Sequence, residues 1–433
     1  MVVLASPAKQ AKWYENTLWE AKLMCALNSG WASTLCNFLP VFYQQVAGFT
    51  KVQIGVLQTV QNLVAIVGPP FWGSIADRIR NQRLVHVACV VSGTLLLFAI
   101  QYFYWSFNAT LLVVLIANFQ SSPAGSMLDH AILALIDKVG GEYGKQRLFG
   151  AVGWGLCAYV TGLVVAVGGI TWAFNANLIV GLSSLLVLRL IPPIHYEPVG
   201  VIESLEQGRE VSRNEPSFLD NARRIMHKAD VLVLIGVVLI TGLMYGVLSS
   251  FLTLNLYNLS GENPQIIGVA IMCETASELP AFFYSHAIIK KLGTVNVLLV
   301  SIAGYAARIT YYAVMPNAWS AIPFEFLHGC TFALAWAACT EYLYAASPKG
   351  CEGTVIGILN GVQNGLARAV GTIVGGYFYE TYGPRTMWWI TDLGVPLSLM
   401  GVALFAYLKQ ADEPEDEDET SPLLKEPTYN EVQ

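Results

Sequence analysis

Charge is what this sequence has least of. Only 12% of its 433 residues are charged, about half the share of a soluble domain, whereas 55% are hydrophobic and the mean hydropathy is +0.51. Such a chain cannot dress a water-facing surface, and it reads as an all-α polytopic membrane protein. Paired cysteine spacing is also missing. Cys25, Cys36, Cys89, Cys157, Cys273, Cys330, Cys339 and Cys351 are scattered, nearly all within apolar runs, which speaks for small packing residues and against a disulfide framework or a metal site. No glycine-rich nucleotide loop lies in a polar segment and no nucleophile–base pair stands out, so neither enzyme chemistry nor a cofactor is expected. A basic surplus is lacking too: the net charge is −6, most of it from the acidic block Asp412 to Glu419, and no nucleic-acid partner is implied. The opening stretch MVVLASPAKQAKWYENTLWEAK has no apolar core, which argues against a cleaved signal peptide and for a cytosolic amino terminus.

What is present is a succession of apolar runs. A spanning helix needs about 20 mostly apolar residues, and twelve such runs are predicted, near 20–43, 53–74, 84–105, 109–136, 147–168, 171–191, 229–253, 265–289, 294–315, 319–345, 353–379 and 386–408. One long hydrophilic break separates six from six. The expected organisation is a cytosolic amino terminus over 1–19, a six-helix bundle over 20–191, a cytosolic central loop over 192–228, a second bundle over 229–408 and a disordered acidic tail over 409–433. Cation placement agrees with cytosolic termini. Outward loops hold only Lys51 and Arg385, Arg308 and Arg368 lie within spans, and the rest of the 24 Lys and Arg fall on the cytosolic side. Two glycosylation sequons, at Asn108 and Asn258, fall in outward loops.

Between spans two and three stands GSIADRIRNQR, Gly73 to Arg83. It resembles the signature loop of the major facilitator superfamily, G-x-x-x-D-R-x-G-R-R/K. Gly73, Asp77, Arg78 and Arg83 fit the pattern, whereas Arg80 and Asn81 stand where the family usually has Gly and then Arg. A conformational role follows: small Gly73 would let helices approach and the arginines would anchor the loop at the cytosolic face. KKLG, Lys290 to Gly293, occupies the corresponding place in the second half. The glycine-dense run Gly357 to Gly376 has small-xxx-small spacing suited to helix packing.

Ser126 to Leu163, densest at KQRLFGAVGWGLCA, resembles the span four to span five hairpin of lactose permease and its oligosaccharide/proton symporter relatives. In that family an acid, an arginine and a tryptophan at these places bind the sugar, and Asp129, Arg147 and Trp154 occupy them here. The chemistry suits a polyol: a carboxylate and a guanidinium each take two hydroxyls and an aromatic face covers a pyranose. An Asp–Arg pair that simply locks span four to span five explains the same residues.

The second half supplies Glu274 and Glu278, one turn apart on span eight, Arg308 inside span nine, and Glu325 and His328 on span ten. Ionisable groups in hydrocarbon cost about 3 kcal/mol or more, so these five are expected to meet one another or a water-filled cavity. The same types of residue serve sugar binding and proton translocation in lactose permease, although the order Glu325 then His328 is the reverse of that family's. Glu325 beside Arg308 is the expected proton site with Glu274 and Glu278 as competitors, and His328 is a further substrate candidate; a static ion cluster is the alternative. Phe324 to Tyr342 is similar to the facilitator branch called domain-containing protein 6-like.

The acidic tail carries Glu419 with Leu423 and Leu424, resembling an acidic dileucine signal, and Tyr429 with Val432, resembling a tyrosine-based one. Both imply clathrin-adaptor binding and an endolysosomal or vacuolar membrane, with the plasma membrane as the alternative. The expectation is thus a twelve-helix secondary transporter of the major facilitator fold that moves a polar solute, such as a sugar, with protons across the lipid bilayer. An uncoupled facilitator or exporter of nucleosides or drug-like solutes, and a non-transporting sensor with the same fold, are the other readings.

Overall fold

The computed structural model describes residues 18–139, 143–191, 228–347 and 352–412. Every regular element among them is a helix. In the first half these are α1 Trp19–Cys36, α2 Leu39–Gln45, α3 Lys51–Ile79, α4 Gln82–Ala99, α5 Phe107–Ser121, α6 Ala124–Val139, α7 Tyr143–Gly168 and α8 Trp172–Leu188. The second half has α9 Ala229–Leu259, α10 Gln265–Val314, α11 Ala318–Ala346, α12 Glu352–Asn360, α13 Arg368–Asp392 and α14 Gly394–Asp412. A π turn, Gly329–Leu334, interrupts α11, and a second, Gly361–Ala367, joins α12 to α13.

Among the described residues, eight helical stretches are long and apolar enough to cross a membrane. Two of them contain a left-handed glycine that splits them in two, Gly293 (φ 77°) in α10 and Gly383 (φ 82°) in α13. With the shorter apolar α8 and the tandem α1 and α2, the described residues make the twelve expected crossings. Crossings one and four are each broken: Pro40 lies in the first turn of α2, and Pro123, which has no N–H to continue a ladder, follows α5.

Within the first half α1 packs on α7 and α8, and α4 on α5 and α8; within the second, α9 packs on α13 and α14, and α10 on α11. The halves meet along two seams, α7 against α10 and α3 against α13. Small residues permit both: the Gly162 and Gly268 backbones touch in one seam, and Gly376 lies against the Lys51 carbonyl in the other. Of the glycine run Gly357 to Gly376, the later members Gly371, Gly375 and Gly376 serve close packing, whereas Gly357 and Gly361 have open space beside them among the described residues.

The signature segment differs from a loop spanning Gly73 to Arg83. Helix α3 continues through Ile79, and the turn is confined to Arg80 and Asn81. Asn81 caps α4 by accepting from the Leu84 amide (3.0 Å). Arg80 is left-handed, with φ 56°, the conformation glycine adopts without strain, so the family's glycine has a physical reason at this place. Gly73 has open space beside it among the described residues, so it grants no close helix approach in this conformation. Asp77 and Arg78 are exposed. Arg83 does anchor: its guanidinium donates to the carbonyls of Leu188 (2.7 Å) and Ile191 (3.2 Å) at the end of α8.

Candidate functional site

Between the halves lies a cavity of about 790 Å³. Asn37, Gln58, Gln61, Asn62, Arg147 and Trp154 face it from the first half, and Tyr245, Ser249, Glu274, Glu278, His328 and Arg368 from the second. Beyond one end, where α2 and α9 stop and α3 starts, the halves are latched. Gln44 and Asn258 exchange amide hydrogen bonds (2.8 and 3.1 Å), and Asn258 Nδ2 also donates to the Tyr379 hydroxyl (3.3 Å). Lys51 Nζ donates to Gln44 Oε1 (2.7 Å), while its backbone N–H donates to Glu380 Oε2 (2.6 Å). Away from the latch the cavity reaches Tyr143 and Gly144, the first residues of α7.

The five ionisable groups of the second half are brought together around one guanidinium. Arg308 is 1% exposed and Glu325 0%. Arg308 Nη2 donates to Glu325 Oε2 (2.6 Å) and Glu274 Oε1 (2.8 Å), Nη1 to His328 Nδ1 (3.0 Å) and Thr331 Oγ1 (3.2 Å), and Nε to the Tyr312 hydroxyl (3.0 Å). Tyr312 passes its own proton to Glu325 Oε1 (2.7 Å). All five guanidinium N–H groups thus have an acceptor, which is how a charge remains tolerable in a membrane interior. Because His328 Nδ1 accepts from Arg308, its ring proton sits on Nε2, which faces Glu278 Oε1 at 3.5 Å. Phe332 stacks on the imidazole (5.4 Å, 15°) and on Tyr245 (5.2 Å, 18°). The Gly329 amide donates to Ser277 Oγ (2.9 Å), tying α11 to α10 where the π turn begins.

The first-half candidates are arranged more loosely. Arg147 Nη1 donates to Asp129 Oδ1 (3.0 Å), with the two side chains 49% and 27% exposed. Arg147 and Trp154, seven residues apart on α7, both line the cavity, as a shared helix face requires. Asp129, on α6, reaches the site through Arg147. Ser33 Oγ holds the Trp154 carbonyl (2.7 Å), fixing α7 on α1.

Sequence reasoning missed several residues. Tyr312 and Thr331 complete the Arg308 shell, and Tyr312 lies one helical turn from Arg308, a spacing that identifies it in retrospect. Arg368, within a span and not singled out for the site by its sequence, stands in the cavity wall. Asn258, the second sequon, uses its amide in the latch in this conformation. Asn108 is exposed in the first turn of α5. Glu419, Leu423, Leu424, Tyr429 and Val432 lie outside the described residues, as do most of the central loop and Cys351. Among the described residues no group of three or more His, Cys, Asp or Glu could hold a metal ion.

Residues 18–390 match the MFS_1 like family. The chain belongs to that family. Membership makes this MFS_1 like protein an integral, multi-pass membrane transporter and not an enzyme. It is 26% identical to the maltose permease of Geobacillus stearothermophilus over 355 residues, 80% of this chain and 84% of the relative. It is 24% identical to the lactose permease of Klebsiella oxytoca over 381 residues, 85% and 89% of the two chains. In structure it resembles the nucleoside transporter NupG with a TM-score of 0.74, covering 90% of this chain and 98% of that one at 16% identity.

Proposed function

We propose that this transporter carries a polar organic solute, a sugar or sugar-like polyol, together with protons, by alternating access between two bodies, residues 20–191 and 229–408. The observation that carries the reading is the Arg308 cluster beside a cavity shared by both halves. One guanidinium there faces two carboxylates, Glu274 and Glu325. A single proton on either carboxylate removes surplus negative charge without leaving Arg308 unpaired, which is the property a reloadable proton site needs. Solute would be held by the unused donors of Arg147, by Asp129, by the Trp154 ring and by His328 Nε2, and the permease relatives support a carbohydrate. With cytosolic termini, the Gln44–Asn258 latch closes the outer end and the cavity faces the cytosol.

The test is proton movement in liposomes containing the purified protein when mono- and disaccharides are added, for wild type, Glu325→Gln and Arg147→Ala. Sugar-driven alkalinisation outside, lost in both variants, is the expected result; sugars that evoke neither proton flux nor protection from labelling would sink the reading. An uncoupled nucleoside facilitator is the second reading, favoured by the Tyr245, Phe332 and His328 ring faces; it predicts that Glu325→Gln still equilibrates solute. We further propose, from the sequence, glycosylation at Asn108 and adaptor-directed delivery to an endolysosomal or vacuolar membrane. Microscopy of a Leu423→Ala, Leu424→Ala double variant checks the delivery: unchanged location would refute it.

A further inference from the structure

Three guanidiniums line the cavity, and they differ in what neutralises them. Arg308 has two carboxylates and Arg147 has Asp129. Arg368 has none within ion-pair distance among the described residues. Its Nε donates to Ser249 Oγ (3.1 Å) and its guanidinium carbon lies 5.2 Å from the Tyr245 ring centre. Those two contacts fix the direction of the fork while both Nη groups keep their N–H donors. Glu274 and Glu278 also lie near Tyr245, but they are engaged by Arg308 and His328. Across the cavity stand the neutral Cys36, Asn37, Gln58, Gln61 and Asn62. The π turn Gly361–Ala367 immediately precedes Arg368, a distortion of the kind that re-aims side chains at functional sites.

We propose that Arg368 docks a carboxylate on the solute, so that the preferred substrates are organic acids, such as sugar acids, over neutral sugars of the same shape. This deepens the solute-carrier reading and rests on it. A fork held at Nε presents its Nη donors in the spacing of two carboxylate oxygens, and an anion arriving there also neutralises a cation left uncompensated in a membrane interior. A neutral hydroxyl would satisfy one donor and leave the charge.

The experiment compares matched pairs, glucuronate with glucose and phenylacetate with phenylacetamide, by titration calorimetry on the full chain in nanodiscs. Each acid is expected to bind wild type roughly 10- to 100-fold more tightly than its neutral counterpart, the range of one charge-assisted contact. The ratio should fall to about one in Arg368→Gln and to an intermediate value in Arg368→Lys, which keeps the charge and loses the fork. An acid that binds wild type no better than its neutral counterpart, or a preference that survives Arg368→Gln, overturns the inference. Uptake into liposomes separates this from the carrier reading: Arg368-dependent acid binding without uptake would sink transport and leave the anion site standing, whereas glucose uptake without acid preference would do the reverse.

Discussion

Arg308 and Arg147 are both guanidiniums that join carboxylates across neighbouring helices, yet they stand at opposite extremes. Arg308 is sealed and spends every donor on the protein. Arg147 is half exposed and spends one. The saturated Arg308 guanidinium has no donor left for a solute. A pair in contact with water gives up its bond to an incoming hydroxyl at little cost, because exposed ion pairs contribute about 0–1 kcal/mol. The contrast is what the proposed division between a proton site and a solute site rests on.

Removing each arginine measures the contrast directly. Arg308→Ala leaves two carboxylates buried without their cation, and a loss of about 3–5 kcal/mol is expected, seen as failed accumulation or a markedly lowered Tm in detergent. Arg147→Ala is expected to keep the wild-type Tm within a few degrees while raising KM for the solute. Equal destabilisation by the two changes would break the comparison. Tyr312→Phe probes the same cluster more gently. It strips Glu325 of a donor and Arg308 Nε of an acceptor, so a loss of about 1–3 kcal/mol is expected. Thermal unfolding of this variant should fall between those of Arg308→Ala and wild type.

How much of this was legible follows from how conspicuous each residue is. Glu274, Glu278, Arg308, Glu325 and His328 stand out because ionisable groups are rare in apolar runs, and their cost in hydrocarbon obliges them to meet. Tyr312 and Thr331 do the same work but are ordinary residues in membrane helices, so composition hides them. Arg368 was visible as a charge but not as part of the cavity, because its partners are the neutral Ser249 and Tyr245 and no acid advertised it. Asn258 advertised a sequon, whereas its partner Gln44 is 214 residues away and enters only through the fold. Hydropathy windows found all twelve crossings but not the π turns, which leave the apolar content of a helix unchanged.

The latch sharpens the comparison from the other side, since it joins the halves without any buried charge. Asn258→Ala removes amide bonds to Gln44 and Tyr379 at once. At about 0.5–1.5 kcal/mol per net hydrogen bond, the three bonds are together worth about 1.5–4.5 kcal/mol, and the balance between open ends should move by at least about 10-fold toward opening at the latch. Reactivity of a cysteine placed at Gln58 or Asn62 in the cavity wall toward an impermeant thiol reagent added on the latch side, in the presence and absence of the Asn258 change, reads this shift. Unchanged reactivity would mean that the seams, not the latch, hold the conformation.

The smallest effect concerns the two equivalent turns, where the halves differ by one residue type. Gly293 takes φ 77° without a Cβ to obstruct it, whereas Arg80 takes φ 56° with one. Left-handed backbone costs a residue with a side chain roughly 1 kcal/mol relative to glycine, and Arg80 is exposed, with no hydrogen bond from its guanidinium among the described residues. Arg80→Gly is therefore expected to raise stability slightly, by less than about 1 kcal/mol once the added freedom of the unfolded chain is counted. Gly293→Ala should lower it by more, about 1–3 kcal/mol, because Gly293 combines φ 77° with ψ 157°, a region that only glycine ordinarily adopts. Opposite signs in thermal unfolding of the two variants would show that both turns obey the same backbone rule and that the first half tolerates strain the second avoids. Equal signs would mean that the Arg80 side chain has a role at the membrane surface that outweighs its backbone cost.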